Sequence, residues 1–149
     1  MKKFIAIAIM AFSMVTAQAI TVDDVFNAFP DADNVEKVNL DKEMLAMMGN
    51  NKLSGIKDIS AVRVINIKEP TSEQQAIAKR FLDADIDGME SLLDVYENEE
   101  NVTIYTRSKG DVADRLLIVV ASGAKEAVLV LVDGKININD INKLVKIGN

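Results

Sequence analysis

Two short runs constrain the fold of this chain more than any other feature: "RLLIVVA" at 115–121 and "AVLVLV" at 127–132. Both are rich in β-branched and leucine side chains, and "SGAKE" between them supplies a turn. Together they read as a hairpin. A strand with one face in water alternates apolar and polar residues, yet "LLIVV" and "VLVLV" are apolar at every position. The two strands therefore belong at the centre of a sheet covered on both faces, either by helices on both sides or by a second subunit on one.

The neighbouring segments extend that sheet. "SLLDVYE" at 91–97 and "VTIYTR" at 102–107 read as strands separated by the polar "NEEN", and "SKGD" separates the second from the central pair. Turns recurring at this interval predict an antiparallel meander of four strands, with Asp133-Gly134 as its end. Upstream, "VEKVNL" at 35–40 and "ISAVRVINI" at 59–67 predict one or two further strands, the second interrupted by the polar Arg63 and Asn66. Four segments carry helical signals. Thr21 precedes Val22, Val25, Phe26 and Phe29 at helical spacing, and Asp41 is placed to cap "DKEMLAMMG", which Gly49 stops. Thr71 and Gln74 form a capping-box pattern ahead of Ile77, Ala78, Phe81 and Leu82. Asn139 is placed to cap a last helix with Ile141, Leu144 and Val145 on one side. The expected fold is a single α+β domain: a mainly antiparallel sheet packed with helices.

The first 19 residues have a different purpose. Lys2 and Lys3 precede the apolar "FIAIAIMAFSMV", and "AQA" at 17–19 places small residues where signal peptidase reads them. The apolar run falls short of the about 20 residues that span a bilayer. The expectation is a signal peptide cleaved after Ala19, export to the periplasm, a folded domain over 20–149 and no transmembrane segment after cleavage. No cysteine follows the apolar run to take a lipid, and "AQAI" stands there instead.

Composition removes whole classes of chemistry. The chain has no histidine and no cysteine. Zinc sites, thiol nucleophiles, Ser-His triads and disulfides are thereby excluded. The net charge is −6, and loss of Lys2 and Lys3 leaves 15 basic residues against 23 acidic, or −8. Such a domain repels phosphate backbones, so nucleic acid is not an expected partner.

Three groups of residues remain as candidates. "DADIDGMESLLD" at 83–94 has the outline of a calcium loop, with Asp83, Asp85 and Asp87 two apart, Gly88 at the sixth place and Asp94 at the twelfth. It departs from that pattern at Glu90, where an apolar residue belongs, and at Asp94, where glutamate is usual. The turn at "NEEN" and the strand-forming Leu93, Val95 and Tyr96 split it: "DADIDG" reads as the acidic end of a helix and "MESLLD" as the start of the meander. Met44, Met47 and Met48 could hold Cu(I), but Met44 and Met48 fall four apart on one helix face, where methionine filling core space is the stronger reading. Asp31, Asp33 and Asp94 are carboxylates that hydrolytic chemistry could use. No linear pattern brings two of them together, and tryptophan is absent, leaving Tyr96 and Tyr105 as the tyrosines.

"GMESLLDVYENEENVTIYTR", followed by "ADRLLIVVASGAKEAVLVLVDGKININDINKLVK", resembles the bacterial family catalogued as domain of unknown function 4252. The upstream order of helix, "VEKVNL" strand, short Met/Leu helix and "SGIKDISAVRVI" is similar as well. The resemblance implies an exported protein and a strand at 92–97. It implies no catalytic residue and no cofactor. Taken together, the expectation is a non-catalytic envelope domain that binds another envelope protein or associates with itself. The alternative is a calcium-binding module using Asp83, Asp85, Asp87 and Asp94.

Overall fold

A computed structural model describes residues 20–47 and 59–140 of the chain. In chain order its elements are α1 (Val22–Asn27), β1 (Val35–Asp41), α2 (Lys42–Met47), β2 (Ile59–Lys68), α3 (Ser72–Leu82), β3 (Glu90–Glu97), β4 (Glu100–Lys109), β5 (Val112–Ala121) and β6 (Glu126–Asn137). A single 3-10 turn, Ile138–Asp140, follows β6. The described residues are mostly β, in one sheet of six antiparallel strands with a few short helices.

The strand order is β1-β2-β6-β5-β4-β3. The two wholly apolar runs, β5 and β6, do occupy the centre. β3 to β6 form a meander, and β6 returns to pair with β2. Because β2 lies near one edge and β3 at the other, α3 carries the chain across the sheet.

One face is closed by α1 and α3. Val22, Val25, Phe26 and Phe29 of the first helical segment, with Ala78 and Phe81 of the second, pack on Ile65, Ile67, Leu117, Val119, Leu129 and Leu131. Phe29 and Phe81 meet edge to face, 6.2 Å apart. Both helices begin with reciprocal caps, Thr21 with Asp24 and Thr71 with Gln74. Gln74 also exchanges amide hydrogen bonds with Asn34, which ties the loop before β1 to the start of α3.

The opposite face carries Val62, Ile104, Leu116, Val132 and Ile136, with Leu45 of α2 and Ile138 packed against them. Cross-strand register aligns one apolar residue from every strand: Val38, Val64, Val130, Ile118, Ile104 and Leu93. Of these, Ile104 is buried, Leu93 is exposed and the rest are half-buried.

Two expectations need correction. β6 does not stop at Asp133-Gly134 but runs on to Asn137. Ala113 pairs with Ile136 and Arg115 with Asp133, so β6 carries an extra residue there, and the glycine marks a bulge rather than a turn. Met44, expected with Met48 to fill core space, is instead 47 % exposed, and Leu45 is the buried side chain of α2. A helix of six residues lying on a sheet turns little of its surface inward. Near the end, the Asn137 side chain accepts the Asn139 N–H at 2.9 Å. Residues 1–19, Met48, Gly49, the 50–58 loop and the helix expected through Ile141, Leu144 and Val145 lie outside the described residues.

Candidate interaction edge

The stretch from Asp83 to Glu100 is built around the exit of α3. A helix ends with carbonyl groups that have no partner within it. Here β4 supplies two hydroxyls. Tyr105 donates to the Phe81 carbonyl at 2.7 Å and accepts from the Ala84 N–H at 3.1 Å. The Thr103 hydroxyl lies 2.9 Å from the Leu82 carbonyl and 3.3 Å from Asp94 Oδ1, sharing its one proton between them. Burial, first of all, raises the Tyr105 phenol above its ordinary pKa, and the carboxylates of Asp83 and Asp94 add to the shift.

Beyond the helix, Ile86 turns into the core and Met89 follows it. Gly88 takes φ +78°, a conformation that suits glycine. Asp83, Asp85 and Asp87 remain exposed on this loop, while Asp94 lies within β3 opposite Thr103. Among the described residues, no three acidic side chains gather as a metal-holding group. Asp31 pairs with Lys37 at 3.2 Å and Asp33 is exposed, so neither joins Asp94 in a shared site.

β3 itself is unusual. It is the last strand of the sheet, β4 is its only strand neighbour among the described residues, and all eight of its residues are exposed. Leu92, Leu93, Val95 and Tyr96 are among them. Register pairs Ser91 with Tyr105 and Leu93 with Ile104, which makes Leu92 a bulged residue. Leu93 and Val95 continue the apolar face opposite the helices, through Ile104 and Val102. The strand then turns through Asn98 and Glu99, at φ +52° and +66°. Positive φ at both central residues is what a two-residue hairpin demands; asparagine tolerates it and glutamate does not.

Charge distinguishes this edge further. Eight carboxylates lie between Arg80 and Arg107, with no basic residue among them. The other edge strand, β1, shows Glu36, Lys37, Asn39 and Asp41 to solvent and no fully exposed apolar residue. Mixed charge of that kind guards an edge. The acidic run is plain in the sequence. Its place along an open edge is not, because strand order depends on how β6 returns to β2.

Arginines cluster where β4, β5 and β6 end. Arg107 lies opposite Arg115, and each is neutralised: Arg107 by Asp114 at 2.8 Å, Arg115 by Asp133 at 2.7 Å. The hydrogen bond from Arg107 holds the Asp114 carboxyl below its ordinary pKa. The less exposed pair, Arg115 with Asp133, links β5 to β6 at the bulged end of the sheet.

Searches of curated proteins and of solved structures find no match to the chain. A family model does match, over residues 26–144, which takes in every element from the end of α1 to the last turn. By that match the chain belongs to the family described as Domain of unknown function (DUF4252).

Proposed function

We propose that this is an exported, non-catalytic envelope protein whose α+β domain binds another protein at the β3 edge. The occupant is an extended segment of that partner, alternating apolar side chains with lysine or arginine. Such a segment adds a seventh strand through backbone hydrogen bonds. The observation that carries this reading is β3 itself: eight exposed residues at the end of a sheet, four of them large and apolar, inside a run of one charge sign.

Charge favours a basic partner over a second copy. Two β3 strands paired about a two-fold axis would bring like acids face to face in either central register. Glu90 would face Glu97 in one register and Asp94 would face Asp94 in the next. Like charges directly opposite destabilise a ladder. The same acids that keep copies apart attract a cation-bearing strand and quicken its approach.

The export part of the reading rests on the leader-like 1–19 segment. Isotope-edited NMR of the 20–149 chain with two synthetic peptides tests the edge. One alternates lysine with valine; the other replaces lysine by glutamate. Shift changes along β3 with the lysine peptide alone, weakening as salt rises, support it. Equal behaviour of both peptides, or a dimer by light scattering at low salt, overturns it.

A further inference from the structure

We propose that cleavage after Ala19 creates the natural occupant of the acidic loop: the α-ammonium group of Ile20, seated between Asp85 and Asp87. This rests on the export reading above. The seat is already formed. Ile20 lies against the loop as a one-residue parallel bridge to Ile86. Its N–H donates to the Asp85 carbonyl at 2.9 Å, and the Asp87 N–H donates to its carbonyl at 2.7 Å. Ile86 is buried, and the Ile20 side chain packs on the same core. Two backbone bonds and apolar packing therefore set where the Ile20 nitrogen lies.

In the unprocessed chain that nitrogen is a neutral amide. Signal peptidase adds one water across the Ala19–Ile20 bond. Ala19 leaves as a carboxylate, and Ile20 is left with an amine that holds a proton at neutral pH. The bond to the Asp85 carbonyl then becomes charge-assisted, which is the stronger kind. Asp83, Asp85 and Asp87 contribute negative charge from the loop, and Asp23 and Asp24 from the first turn of α1. Asp24 already accepts the Thr21 N–H at 3.0 Å, and Asp23 is paired with Arg63 at 3.4 Å. Three basic residues border the loop among the described residues: Arg107 approaches Gly88 and is held by Asp114, and Lys79 and Arg80 lie in the last turn of α3. Among the described residues no ion pair engages Asp83, Asp85 or Asp87, and these are the carboxylates left for the new cation.

The test compares three forms of the 20–149 chain: native Ile20, N-acetylated Ile20, and one with a glycine added before Ile20. Acetylation keeps the hydrogen bond but removes the charge. Added glycine moves the charge off the seat. The native form is expected to melt about 2–4 °C above both. That difference should shrink in Asp85→Asn/Asp87→Asn, which keeps the backbone bond and removes the nearby charge, and shrink again in high salt. Equal melting of all three overturns the seat. Mass determination of the exported protein separately tests the processing: a first residue other than Ile20 overturns that reading, whatever the melts show.

Discussion

The phenol of Tyr105, on the fourth strand, closes the end of the helix that crosses the sheet by donating to the carbonyl of Phe81 at 2.7 Å. This contact, with Thr103 beside it, makes "DADIDG" a helix exit. It places the residues after Met89 in a strand instead of a second helix. Tyr105→Phe would leave the Phe81 carbonyl and the Ala84 N–H without this partner. The expected cost is about 1–3 kcal/mol, read as a lower denaturant midpoint with unchanged slope.

The same phenol makes the protein sensitive to alkali. Its folded pKa lies above the ordinary 10.0, with burial as the main cause. A group raised in this way contributes stability that is fully present below the unfolded pKa. That contribution is lost as pH rises through the folded value. Melts of wild type and Tyr105→Phe should therefore converge above pH 10, and convergence at neutral pH would contradict the assignment.

Glu99 sits at φ +66° in the β3–β4 turn, where an L side chain is strained. Glu99→Gly makes the turn Asn-Gly, the preferred pair for a two-residue hairpin. A gain of about 0.5–1 kcal/mol is expected. A lower melting temperature would show that the glutamate side chain has a compensating contact.

Asn66 lies on β2 opposite Val128, with its side-chain oxygen buried and unpartnered among the described residues. Asn66→Val removes that buried polar atom and extends an apolar row. It should stabilise the fold by about 1 kcal/mol, measured by chemical denaturation. A loss of similar size would mean that the oxygen has a water or side-chain partner.

Calcium provides a separate check on the acidic loop. With Asp94 in β3 and Asp83, Asp85 and Asp87 on the helix exit, millimolar calcium should leave the melting temperature of the 20–149 chain unchanged. A saturable rise that Asp83→Asn abolishes would restore the metal-loop reading.

Local pattern was enough to place most elements. The N-cap at Thr21, the capping box at Thr71, the apolar spacing of Phe26 and Phe81, and the unbroken apolar runs at 115–121 and 127–132 each act over a few residues, and each appears in the structure. The β3 strand was legible too, because Leu93, Val95 and Tyr96 favour extended backbone and "NEEN" supplies a turn. Asp133-Gly134 misled because a glycine in a bulge and a glycine in a turn look alike along the chain. Only register against β5 separates them. Met44 misled because helical spacing says which residues share a side, not which side faces the sheet.

By itself the sequence determined the composition of each strand, the caps of two helices, the acidic run from 83 to 100 and the absence of histidine and cysteine chemistry. All of these are properties of single residues or near neighbours. Tertiary structure alone decided that β6 returns to β2, so that β3 is the edge strand among the described residues, with its acids and apolar side chains exposed. It alone brought Ile20 to Ile86 and Tyr105 to Phe81, across separations that no local pattern encodes. The physical reason is the same in each case. Pairing partners are chosen by global burial of two sheet faces, and that choice is made by the whole chain at once.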